Sequence, residues 1–330
     1  MWHKWRTYIL CLFGLLTLGI QAQTLSDSAR ISLFTCAPGK ELYARYGHTA
    51  IRVLDPQNEL DVTLNYGIFN FATEHFYWKF VKGETWYELG ATGTSWFRRE
   101  YDFYQRPVYE QTLHLTPKQR QDLWDALVEN YKPENRYYLY NFVFDNCATR
   151  PYYLIKNVLN DSIHSTYIGW QGKTYRQFIR HYTDVHSWEN AGINLLFGPR
   201  ADQPMDNEAR LFLPEELMYY IHEATLSDGT ALVENEQIAP FVIARTPWYA
   251  SWELGLALYF LIVLIFSLWD RRRGRWSWGV ELAVSVPYLL LLVIVTFLTF
   301  FSCHPLVGFG WRLLIIPLTH LCARLVYIVR

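Results

Sequence analysis

The chain lacks an excess of charge of either sign: 30 lysines and arginines stand against 31 aspartates and glutamates, a formal net charge of -1 over 330 residues. Phosphate backbones demand a basic face, so nucleic acid is not an expected partner. The spacings Cys-x-x-Cys and His-Glu-x-x-His are also missing, and neither a metal nor another cofactor is expected. Cysteine is scarce, with five in all. Only Cys36 and Cys147 fall between the apolar segments at the two ends of the chain. There is no repeat and no low-complexity linker, so the central stretch reads as one large domain with its own core.

Long apolar runs are present at both ends. Residues 1–23 read as a signal peptide or N-terminal anchor: Lys4 and Arg6 precede an apolar run from Tyr8 to Ile20, and the small residue Ala22 follows. Cys11 lies inside that run rather than after it, so the chain is not expected to be lipidated itself. Leu254 to Leu268 is uncharged and framed by Trp252 and Trp269, and Leu282 to Phe301 is a second uncharged run. Such runs rise ~1.5 Å per residue and can cross ~30 Å of hydrocarbon. The connection Asp270-Arg271-Arg272-Arg273-Gly274-Arg275 is basic, which assigns it to the cytoplasm. Residues 24–248 are therefore expected on the outer, periplasmic side, and residues 249–330 as a membrane domain of two or three helices. The third segment, Leu306 to Val329, is interrupted by Arg312 and Arg324 and bent by Pro317; a short spanning helix is expected, with a re-entrant or interfacial segment as the alternative.

Within the outer part, His48 lies in Tyr-Gly-His-Thr-Ala-Ile-Arg-Val and Cys147 in Phe-Asp-Asn-Cys-Ala-Thr-Arg-Pro. The first alternates like a strand, with Thr49 and Arg52 set against Ile51 and Val53. In the second, Asp145 and Cys147 precede an apolar run through Leu154, Ile155 and Leu159, the pattern of a capped helix start. A thiol at a helix N-terminus beside an imidazole is stabilised as a thiolate, the attacking species, and His48 would take and return its proton. On the next extended segment, Val62 to Phe71, Asn65 is placed to accept from the second ring nitrogen. The same two cysteines fit a structural disulfide in an oxidising compartment, and spacing does not choose between the two.

Further strands are expected at Ile31 to Cys36, Tyr87 to Thr92 and Val108 to Leu115, and helices from Thr116 with Pro117 at its first position to about Tyr131, at Thr174 to His181 and at Pro214 to Ala224. A last extended piece is expected near Ala231 to Val233. This is an α+β layout, a sheet packed against helices. From Tyr66 to Tyr104 the chain is dense in aromatics, among them Phe76, Tyr77, Trp78 and Phe80, with Lys79, Lys82, Arg98 and Arg99 between them. That composition suits a headgroup layer as well as a sheet core.

The segments Thr35-Cys36-Ala37-Pro38-Gly39, Tyr46-Gly47-His48-Thr49, Asn65-Tyr66-Gly67, Phe76-Tyr77-Trp78-Lys79-Phe80, Asp145-Asn146-Cys147-Ala148, Leu196-Phe197-Gly198-Pro199-Arg200 and Ser302-Cys303-His304-Pro305 together resemble the Lnb family of lipoprotein N-acyltransferases of Gram-negative envelopes. The outer domain of that family resembles the circularly permuted papain-like group that includes lecithin retinol acyltransferase and NlpC-type cell-wall peptidases. His48, Asn65 and the pair Asn146-Cys147 follow the order of that group. The resemblance implies a multi-pass protein of the inner membrane with a permuted papain-like cysteine-enzyme domain. It further implies a Cys147 thioester, drawn from a phospholipid and discharged onto the amine of a diacylated lipoprotein. Arg52, Asn146, Arg150 and His304 are the candidate substrate-binding residues, although for each arginine a salt bridge competes with that role. Two other functions remain compatible: a membrane-tethered cysteine peptidase or amidase acting on cell-wall peptide, and a noncatalytic lipoprotein-binding module in which Cys36 and Cys147 are disulfide-bonded.

Overall fold

Alternation of apolar residues at every second position builds the central sheet. A computed structural model describes residues 23–160, 162–234, 237–274 and 278–308. The expected signal segment, apart from Gln23, and the third apolar segment beyond residue 308, with Arg312, Pro317 and Arg324, lie outside the described residues. Six strands, β1 (Arg30–Cys36), β2 (His48–Asp55), β3 (Leu60–Ile68), β4 (Trp86–Gly93), β5 (Val108–Thr112) and β6 (Tyr137–Leu139), form one sheet in the order β5-β1-β2-β3-β4-β6. Every pairing is antiparallel, and the register sets Cys36 opposite His48 and Ile51 opposite Leu64.

One face carries Ile31, Leu33, Ile51, Val53, Val62, Leu64 and Tyr66, all buried against Leu123, Trp124 and Leu127 of α3 (Pro117–Tyr131) and Tyr152 and Ile155 of α4 (Thr149–Val158). Helix α3 starts where Thr116 and Gln119 cap each other's backbone N–H groups. The other face carries Phe34, Cys36 and Ala50 beneath Phe97 and Tyr101 of α2 (Thr94–Phe103). A second core, centred on Phe178 and Phe212, gathers α5 (Tyr175–His181) and the start of α7 (Pro214–His222), with α6 (Trp188–Leu196) beside it. The mixed, antiparallel layout is α+β.

Several expectations shift. β3 stops at Ile68 and β5 at Thr112, and Ala231 to Val233 makes only isolated bridges to Thr225 and Leu113. Thr49 is fully buried with Ile51 and Val53 rather than sharing a face with Arg52, because strand parity puts residues 49, 51 and 53 on one side. The aromatic stretch folds into α2 and the short helix α1 (Phe76–Lys82), neither of which alternation had marked.

Two long helices, α8 (Trp252–Arg273) and α9 (Trp278–Phe301), are apolar and exposed along their length, and each is long enough to cross a membrane. Ser251 caps α8, and Gly274 at a φ of +59° ends it after the three arginines. Both outer ends hold the sheet domain. His186 bonds Glu253 at 2.8 Å and Trp252 Nε1 donates to Val185 O, while Cys303 N donates to Lys82 O at 2.7 Å and Trp78 packs on Phe297 with 5.2 Å between ring centres.

Candidate active site

Four local features converge at the start of β2. Gly47, at a φ of +79°, turns the chain into the strand where a Cβ would stand only 2.7 Å from both Cys36 O and the Phe241 ring. His48 follows, and Asn65 Oδ1 on β3 accepts from His48 Nε2. A carboxamide oxygen only accepts, so Nε2 carries the ring proton and Nδ1 is the free base. Beyond Asn65, β3 is irregular between Tyr66 and Ile68, and Gly67 there has a φ of +93°. A Cβ on Gly67 would stand 3.7 Å from Cys147 Cβ, 3.9 Å from His48 Cε1 and 4.0 Å from the Tyr138 hydroxyl. Thiol, imidazole and phenol thus surround the one position in this part of β3 where the chain has no side chain.

Cys147 is presented by a tight turn. Asn141 and Asp145 exchange backbone hydrogen bonds at 2.9 and 3.0 Å, and Asn141 Oδ1 accepts from Val143 and Phe144. Asn146 rather than Asp145 satisfies the backbone N–H groups at the start of α4: its Oδ1 accepts from Ala148 N at 2.8 Å and Thr149 N at 2.9 Å, while its Nδ2 donates to Phe142 O and Phe212 O. The whole Asn146 amide is therefore bonded to backbone and has nothing left for substrate. Cys147 sits just before the helix, where the Thr49 backbone N–H, next in chain to His48, and its own N–H favour the charged form of the thiol.

Both reactive groups rest neutral. Burial pushes the Cys147 thiol up to about 11, against smaller lowering by those two N–H groups. Burial, with the Arg106 charge in the same direction, holds His48 down to about 4 despite the Asn65 bond. The expected standing thiolate is thus replaced by a thiol beside an unprotonated base, because desolvation at this site outweighs the helix terminus. Cys36 is likewise pushed up to about 12 by burial, and both it and Cys147 are free cysteines, so the alternative disulfide is not formed.

Arg52 forms a bidentate pair with Asp61 and also bonds Glu110, while Arg150 forms a bidentate pair with Asp145 at 2.6 and 2.8 Å and stacks 3.6 Å above the Tyr138 ring. Each arginine is held by carboxylates. His304 lies instead on α1, where its Nε2 donates to Phe80 O at 3.1 Å. Two neighbours were not marked by sequence. Tyr138 comes from the three-residue edge strand β6, too short to show alternation. Arg106 donates to Ala37 O and lines a cavity of about 620 Å³ that reaches Thr246 and Pro247, just ahead of α8.

From the thiol, aromatic rings run toward the apolar helices. Tyr87 and Tyr140 belong to the core that holds Cys147 and stack at 4.2 Å. Tyr87 meets Phe69 at 5.1 Å, Phe69 meets Phe76 at 5.7 Å, and Phe76 meets Phe80 at 6.1 Å on α1, the helix that packs against Phe297. Tyr77, Trp78 and Phe80 are exposed on it. Among the described residues no group of three or more His, Cys, Asp or Glu could hold a metal ion.

Residues 19–181 match the family model described as the Lnb N-terminal periplasmic domain, and residues 245–330 match the one described as the Lnb transmembrane domain. No curated protein and no solved structure matches the chain.

Proposed function

Since the chain belongs to the Lnb family, with a periplasmic domain joined to a transmembrane domain, we propose that it is a lipoprotein N-acyltransferase of the inner membrane whose outer domain is a permuted papain-like cysteine enzyme. His48 Nδ1 takes the thiol proton of Cys147 as the sulfur adds to an ester carbonyl of a phospholipid. The tetrahedral intermediate collapses, the lysophospholipid leaves with the proton from His48, and the acyl chain remains as a thioester. The amine of a diacylglyceryl-cysteine lipoprotein then attacks that thioester, the carbon–sulfur bond breaks, and His48 passes the amine's proton to the departing sulfur, which regenerates the thiol. Asn65 keeps the imidazole in the tautomer that accepts at Nδ1.

The observation that carries this reading is the run of rings from Tyr140 and Tyr87 beside Cys147, through Phe69 and Phe76, to α1 on the outer end of α9. An enzyme that holds an acyl chain needs an apolar track from its nucleophile to the leaflet. A cell-wall peptidase needs none, and its substrate is polar. Tethering at both outer ends also keeps the nucleophile at a fixed height over the lipid, which raises the effective donor concentration.

The test expresses wild type, Cys147→Ala and Cys36→Ala in a cell lacking its own N-acyltransferase, with lipoprotein N-termini read by mass spectrometry. Triacylated lipoprotein with wild type and Cys36→Ala, and none with Cys147→Ala, is the expected pattern. Cleaved muropeptides with unchanged lipoproteins would instead establish the peptidase.

A further inference from the structure

We propose that the Tyr138 hydroxyl is the second oxyanion donor of this site, paired with the backbone N–H of Cys147. The inference rests on the Cys147 thioester chemistry above and adds the group that carries its negative charge.

Three observations lead to Tyr138. Its hydroxyl is buried and has no hydrogen-bond partner, which carries a desolvation penalty that a bound oxygen would relieve. That hydroxyl lies 4.0 Å from the Gly67 Cβ position, the same point approached by Cys147 Cβ and His48 Cε1. An unsatisfied donor therefore borders the space between nucleophile and base, where the carbonyl is to sit. Finally, the Arg150 guanidinium stacks 3.6 Å above the Tyr138 ring and is itself locked by Asp145. A cation on the ring face draws electron density from the phenol and makes its O–H a stronger donor. Burial meanwhile keeps the phenol protonated, with the hydroxyl raised well above its ordinary value. Arg150 is thus a positioning residue, acting through Tyr138 rather than on substrate.

Backbone donors alone leave the site short. Asn146 Oδ1 takes the Ala148 and Thr149 N–H groups, which leaves the Cys147 N–H as the backbone donor ahead of α4. When the sulfur adds to the carbonyl carbon, the π pair moves onto oxygen, and Tyr138 donates a hydrogen bond to that oxygen while keeping its proton. On collapse the pair returns, the carbon–oxygen bond to the leaving group breaks, and His48 supplies the leaving group's proton. No other reactant is needed.

The full chain in detergent micelles is treated with p-nitrophenyl butyrate, a small ester that acylates a reactive thiol without any lipoprotein acceptor. Nitrophenolate release and the acyl mass on the Cys147 peptide are followed for wild type, Tyr138→Phe and Cys147→Ala, beside thermal unfolding. Removing one oxyanion donor is expected to slow acylation ~10²-fold or more. Tyr138→Phe deletes an unpartnered buried hydroxyl, so its melting temperature should equal or exceed that of wild type, whereas a merely structural tyrosine would lose stability along with rate. A long-chain aldehyde, which adds the thiol to form a hemithioacetal oxygen in the same place, should bind Tyr138→Phe at least tenfold more weakly. Wild-type acylation matched by Tyr138→Phe would overturn this inference alone. No Cys147 acylation in wild type would remove the thioester chemistry and this inference together.

Discussion

Asn65 Oδ1 accepts from His48 Nε2 across neighbouring strands, so the base of the site is fixed by a side chain one strand away from it. The bond sets which nitrogen is free, and only the antiparallel ladder makes it. Asn65→Ala should leave the fold intact, because His48 packs on the sheet without it, and should lower turnover by ~10²-fold with little change in KM. Asn65→Asp retains an acceptor at the same place and should recover much of the loss. Equal damage from both substitutions would show that orientation of the imidazole is not what Asn65 supplies.

Acid should weaken the protein through His48. Its folded value is about 4, below the usual 6.5, so between these values the unfolded chain binds a proton that the native state refuses. Stability is then full above about pH 6.5 and falls as pH drops toward 4. The residue keeps partial solvent access, which limits the loss to about 2 kcal/mol. Urea midpoints measured from pH 7.5 to 4.5 should decline more steeply for wild type than for His48→Gln. Parallel slopes would count against a buried neutral imidazole.

Gly67 has two reasons to lack a side chain. At a φ of +93° any L-residue is strained, by about 1–3 kcal/mol, and a methyl would stand 3.7 Å from Cys147 Cβ and 3.9 Å from His48 Cε1, in the space an ester needs. Gly67→Ala should therefore lower activity far more than the loss of folded protein explains. Activity that merely tracks the folded fraction, measured by circular dichroism on the same sample, would assign Gly67 a backbone role only.

Trp78 is exposed on α1 yet touches Phe297 of the long helix α9. Placing a charge at that level, as in Trp78→Glu, should raise KM for phospholipid in vesicles roughly tenfold and leave p-nitrophenyl butyrate acylation unchanged, since only the vesicle reaction requires a seat in the headgroup layer. Equal effects on both substrates would place the damage in the fold of α1 instead.

The candidate site was legible in part. His48 and Cys147 carry chemistry that few other positions offer, and the alternation around residue 65 put Asn65 on the strand next to His48. Asn146 and Arg150 were visible as residues but not as roles: the turn that folds Asn146 back on Ala148 and Thr149, and the stack of Arg150 on Tyr138, join groups that no sequence spacing pairs. The protonation states were also out of reach. A helix start predicts a thiolate, and only the depth of burial at the end of β2 shows that both groups stay neutral.

By itself the sequence determined the material of each part. Period-two alternation made β1 to β4, a Thr-Pro start with its apolar stripe made α3, and uncharged runs bounded by tryptophan and arginine made α8 and α9, because such patterns act over a few neighbouring residues. Tertiary structure decided what meets at Gly67. His48, Asn65, Tyr138 and Cys147 come from three strands and a turn, and their convergence depends on strand order, on the irregularity in β3 and on the turn ahead of α4. Those are long-range pairings whose energy is shared over the whole sheet, and no local stretch of chain carries them.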